Sequence, residues 1–68
     1  MTALNLIEQL TQNWQNVIIH KQSYDAKFAI CINHKGTIKT NQGVNGITLY
    51  SKKRFLDLVG NFDFTIIN

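Results

Sequence analysis

Between Ala26 and Ile32 the side chains alternate: Phe28, Ile30 and Ile32 fall on one side, Lys27, Ala29 and Cys31 on the other. A period of two marks a half-buried strand, because neighbours on one face of a helix are three and four residues apart. The strand runs into Asn33-His34-Lys35-Gly36, with Asn at the first position of a type I turn and Gly where a left-handed residue closes a bulged hairpin. That loop predicts the register. With the bulge, Ile32 stands opposite Ile38 and Cys31 opposite Lys39. A two-residue Lys35-Gly36 turn would set Ile32 against Lys39 and move the second strand's apolar set to the wrong side. The expected sheet therefore has Phe28, Ile30, Ile32 and Ile38 on its covered face and Gly36 at positive φ. Lys27 and Lys39, with Ala29, Cys31, Asn33 and Asn41, make a small, polar and basic opposite face.

The rest of the chain can be read around this hairpin. Thr2 is an N-cap candidate, and Ala3, Leu6, Ile7, Leu10 and Trp14 recur at helical spacing, which predicts a helix over residues 3–13. Val17 to Lys21 is β-branched with no helical stripe and reads as a strand. Asn41 to Gly46 is rich in turn residues, and Asn45-Gly46 is a candidate two-residue turn before a strand at Ile47–Tyr50. Ser51 caps a second, short helix carrying Phe55, Leu56 and Val59, with Gly60 as its stop. Phe62, Phe64 and Ile66 alternate in a closing strand. The order α-β-β-β-β-α-β predicts an α+β fold, with an antiparallel sheet of four to five strands and both helices mainly on one face. Residues 1–68 form a single domain.

Composition narrows what such a domain can do. With 44% apolar and 16% charged residues, the chain fits neither the disordered nor the membrane class. One cysteine excludes an internal disulfide framework, and a domain of this size buries only about 60% of its extended-chain surface, so packing alone must hold it. The N-terminus shows no signal-peptide pattern and no stretch approaches the roughly 18 apolar residues of a membrane span. A complete small product acting in the cytoplasm of a bacterial host is the expectation, with no membrane involved.

Enzymatic readings are weak. Glu8, Asp25, Asp57 and Asp63 are scattered over different elements, and there is no nucleophile elbow, Walker loop or dinucleotide fingerprint. Cys31 and His34 have C-x-x-H spacing with His20 as a third group, but a structural zinc site needs four ligands. No metal and no cofactor are expected. Charge carries more information: residues 1–20 hold −1, residues 21–54 hold +6 and residues 55–68 hold −2. Lys52, Lys53 and Arg54 sit where a helix begins, at the positive end of its dipole, where cations are unfavourable by a few tenths to about 1 kcal/mol each. An anion would offset that cost. With Lys35, Lys27 and Lys39 they form the candidate contact set for an acidic partner or a phosphate backbone. Ile18 and Ile67 fall on the outer face and, if their strands are neighbours, form a patch suited to a homodimer.

Short, without catalytic signatures, and about one third Asn, Ile and Lys (8, 9 and 6 residues), all of which have AT-rich codons, the chain resembles as a class the small α+β proteins of phages and mobile elements. Anti-CRISPR proteins are among them. The resemblance implies a non-enzymatic inhibitor that blocks a host nucleic-acid-handling protein or ribonucleoprotein complex by stoichiometric binding. Many such inhibitors are acidic DNA mimics, and the net charge of +3 departs from that pattern. The alternatives are a small regulator contacting nucleic-acid backbone and a phage structural or assembly subunit with Ile18 and Ile67 at its interface.

Overall fold

The computed structural model describes residues 1–68, the side chain of Asn45 excepted. The elements are α1 (Ala3–Gln9), β1 (Gln15–His20), β2 (Asp25–Ile32), β3 (Ile38–Asn41), β4 (Ile47–Tyr50), α2 (Lys52–Val59) and β5 (Asp63–Ile66), with a 3₁₀ turn at Gly43–Asn45. All five strands join one antiparallel sheet in the order β4-β3-β2-β1-β5. The predicted α+β architecture and element order are observed.

The register around the central hairpin follows from one side chain. Asn33 Oδ1 accepts the N–H groups of both Lys35 and Thr37 at 2.9 Å, and the Asn33 carbonyl accepts from Gly36 N–H at 3.0 Å. The chain reverses with Gly36 at φ +85°, a region open mainly to glycine. Ile32 then pairs with Ile38 and Cys31 with Lys39, as the alternation requires. Val17, Ile19, Phe28, Ile30, Ile38 and Phe64 consequently share one face, where they pack with Ala3, Leu6, Ile7 and Leu10 of α1 and Phe55 of α2. No element covers the other face.

Two sequence expectations are corrected. α1 ends at Gln9, with Leu10 already extended, so Trp14 is not part of its apolar stripe. The polar run Thr11-Gln12-Asn13 has nothing to bury. The Thr11 carbonyl accepts Ile32 N–H at 2.9 Å and its hydroxyl accepts Asn13 N–H at 3.2 Å, so these groups are used outside a helical ladder. The β3–β4 connection is also longer than a two-residue Asn45-Gly46 turn. Asn41 pairs with Ile47, which leaves five residues between the strands, and the 3₁₀ turn fills them.

α2 carries the chain from the β4 edge across the covered face to the opposite edge. Ser51 caps it, its hydroxyl accepting Arg54 N–H at 3.0 Å, and Gly60 ends it, donating its N–H to the Leu56 carbonyl at 2.8 Å. A Cβ at Gly60 would run into that carbonyl oxygen. Gly60→Ala should therefore cost about 1–3 kcal/mol despite alanine's better helix propensity, read as a lower urea midpoint at unchanged m-value. An unchanged midpoint would show that the turn relaxes freely.

Candidate functional site: the basic end and the open sheet face

The two ends of the sheet differ in charge. One end holds the β1–β2 connection, the β3–β4 connection and the start of β5, and with them Asp25 and Asp63, balanced by Lys21 and the Met1 amino group. The other holds the Asn33–Gly36 turn and the start of α2, because the Ile38–Tyr50 pair brings Ser51 and Lys52 alongside Thr37 and Gly36. Lys52 lies across that turn, its Cε 3.6 Å and its Nζ 4.0 Å from where a Gly36 Cβ would be. Lys35, Lys52, Lys53 and Arg54 are thereby gathered at one end, Lys52 to Arg54 exposed on the first turn of α2. The ion pair of the Met1 amino group with Asp63 and the contact of His20 with Asp25, among the described residues, both lie at the far end.

Lys39 joins this end from the open face. Extending the β1–β2 register by one residue sets Trp14 opposite Cys31, and Lys39 faces Cys31 from the other side. The Lys39 ammonium lies 5.5 Å from the centre of the Trp14 ring. Side chains from both neighbouring strands thus meet above Cys31, which is only 3% exposed on a face without a helix. Trp14→Ala should open this cover and raise the rate of Cys31 labelling by a thiol reagent at least about tenfold. An unchanged rate would place the protection elsewhere. Lys27 is on the same face but four residues further along β2, about 13 Å from the level of Lys39, and stands apart from the cluster.

The open face is more apolar than expected. Ile47, Leu49 and Trp14 are exposed on it, and Ile67 and half-buried Ile18 join them. β1 and β5 are neighbours: Ile18 is opposite Thr65, and Ile67 N–H donates to the Asn16 carbonyl at 2.8 Å, which puts Ile67 diagonal to Ile18. Tyr50 is half-buried, because it lies on the covered face with its ring 5.9 Å from that of Phe55.

At the far end the sequence gives no local sign of a line of three polar side chains. His20 Nδ1 lies 3.1 Å from Asp25 Oδ1 and its Nε2 lies 2.8 Å from Thr65 Oγ1. A carboxylate only accepts, so the imidazole donates from Nδ1, while Nε2 is within hydrogen-bond distance of the Thr65 hydroxyl. A hydroxyl, an imidazole and a carboxylate in this order activate nucleophiles in hydrolases, which also need donors for an oxyanion. Here the ladder parity set by the Ile67–Asn16 bond turns Thr65 N–H toward Ile18 in β1, so it cannot serve as such a donor. The line ties three strands together. Register alone hints at it, since His20 pairs with both Asp25 and Asp63. It also removes His20 from the Cys31 and His34 pair by six residues of strand, about 20 Å. Among the described residues no three metal-ligating side chains come together.

Neither helix is long and apolar enough to cross a membrane. Compared with protein-family models, with curated proteins and with solved structures, the chain matches none.

Proposed function

We propose that this chain is a non-enzymatic binding protein whose basic end docks on an anionic surface, acting as a stoichiometric inhibitor of a nucleic-acid-handling complex. One observation carries the reading. Lys35, Lys39, Lys52, Lys53 and Arg54 are gathered at one end with no carboxylate paired to them among the described residues, while at the other end Asp25 and Asp63 are balanced by Lys21 and the Met1 amino group. Mutual repulsion and the helix dipole both disfavour such a cluster in the free protein, and an anionic partner relieves both. The flat open face beside it, with Trp14 and Leu49, offers apolar area that a protein surface can cover.

Capture from a bacterial lysate tests this. Wild-type protein should retain a protein or ribonucleoprotein complex that the Lys52→Ala, Lys53→Ala, Arg54→Ala triple variant loses, and equal capture by both would overturn the reading. Salt separates the inhibitor from a regulator that grips nucleic acid directly. Binding to naked duplex DNA with a log–log salt slope of about −0.9 per phosphate contact would favour the regulator. Self-association through Ile18 and Ile67 belongs to the same proposal. Sedimentation at rising concentration checks it, and a mass fixed at the single-chain 7.8 kDa would remove it.

A further inference from the structure

At the end of the molecule away from the basic cluster, α2 and the sheet part to leave a cleft of about 360 Å³. Ile19, Phe28, Phe55 and Val59 form its apolar walls. It is open to solvent on one side, and its volume is that of a small-molecule cleft. Its polar lining is buried Thr40, half-buried Lys21 and Tyr50, and exposed Tyr24, Lys27 and Gln42. Thr40, 3% exposed, lines the cleft. Lys21 stands at the mouth, half-buried. Its ammonium donates to the Tyr24 hydroxyl at 3.4 Å and lies 5.3 Å and 5.8 Å from the ring centres of Tyr24 and Phe62, with no carboxylate paired to it among the described residues.

We propose that this cleft binds a small amphipathic carboxylate. An aromatic or branched body fills the space between Phe28, Phe55 and Val59, the Thr40 hydroxyl meets a polar atom of the ligand, and the carboxylate pairs with Lys21. Apolar walls with a few convergent polar groups are the usual make-up of a small-molecule site, and the volume lies within the range such sites occupy. The aromatic rings hold the Lys21 ammonium in place before the ligand arrives, which lowers the ordering cost of the ion pair. Half-buried Lys21, with exposed Lys27 at the rim, rather than the basic end sets the preference for an anion, so this site is independent of the docking surface proposed above.

Three probes with one body and different heads test it: 3-phenylpropionate, 3-phenylpropanol and 3-phenylpropylamine, titrated into 15N-labelled protein. The carboxylate should give saturable shifts at the amides of Phe28, Thr40 and Val59 and bind at least about tenfold tighter than the alcohol, as expected for one charge-assisted contact. The amine should not bind. Lys21→Met should bring the carboxylate down to the affinity of the alcohol, and Thr40→Val, which keeps the shape, should weaken it several-fold. The Lys52, Lys53, Arg54 triple alanine variant should bind it as wild type does. Equal binding of all three heads, shifts confined to the basic end, or no saturable shift would each overturn the assignment. Thermal unfolding of each variant confirms that it is folded before titration.

Discussion

Phe64→Ala should leave little folded protein. Phe64 is 1% exposed at the middle of β5, opposite Ile19, with its ring 6.2 Å from that of Phe55 in α2. It is therefore the residue through which the last strand holds both the sheet and the second helix. Truncating a buried Phe to Ala costs about 3–5 kcal/mol, while a domain of this length has roughly 3–10 kcal/mol in total at 0.05–0.15 kcal/mol per residue. Urea titration followed by far-UV circular dichroism should show no native baseline, or a midpoint close to zero denaturant. Phe64→Leu preserves most of the volume and should lose less than about 1.5 kcal/mol with two-state behaviour intact. A wild-type midpoint for the alanine variant would mean that β5 is not integral to the fold.

Replacing Lys52, Lys53 and Arg54 together with Ala should have the opposite effect on stability and the largest effect on binding. All three are exposed, none forms an ion pair among the described residues, and Phe55 still packs in their absence. Removing cations from a helix start should leave the melting temperature unchanged or slightly raised. Affinity for a polyanion such as heparin at low salt should fall well over tenfold, because each charge-assisted contact contributes about 1.5–3 kcal/mol and two lost contacts already exceed that factor. Lys21→Ala, which removes a cation from the other end, is the control and should change heparin binding little. Wild-type heparin affinity in the triple variant would reduce the cluster to an ordinary solvated surface.

Local chemistry was legible in the sequence wherever one short segment decides the outcome. Asn33 and Gly36 dictate a turn, that turn dictates the Ile32–Ile38 register, and the register dictates that Lys27 and Lys39 face away from the helices. Thr2 and Ser51 cap their helices for the same reason. The extent of α1 was not legible, because Trp14 continues the helical spacing of Leu6, Ile7 and Leu10, while the chain leaves the helix at extended Leu10 and is drawn to the sheet by the bond from Ile32 N–H to the Thr11 carbonyl. The gathering of Lys35 with Lys52 needs the Ile38–Tyr50 pairing, and the Thr65–His20–Asp25 line needs β5 beside β1. Both depend on contacts between distant segments that no local period records. The cleft beneath α2 is a matter of what packing leaves unfilled, and a sequence has no signal for that.

Placing β5 next to β1 has a consequence for how the molecule comes into being. Strands β1 to β4 are joined by hairpins and can pair as they emerge, each with the strand just made. β5 must return across the whole sheet to meet β1, more than 40 residues back, and to pair with Thr2, while Phe64 N–H reaches the Met1 carbonyl at 2.8 Å. Until residues 63–66 have left the ribosome, one side of β1 has no partner and the apolar face that Phe64 will fill stays wet. The final step is thus the closing of a long loop, an entropic cost that slows folding and makes it all-or-none. During that interval the nascent meander has a vacant backbone edge at β1 as well as at β4, and it is then, rather than in the finished fold, that the chain is most open to pairing with another copy of itself.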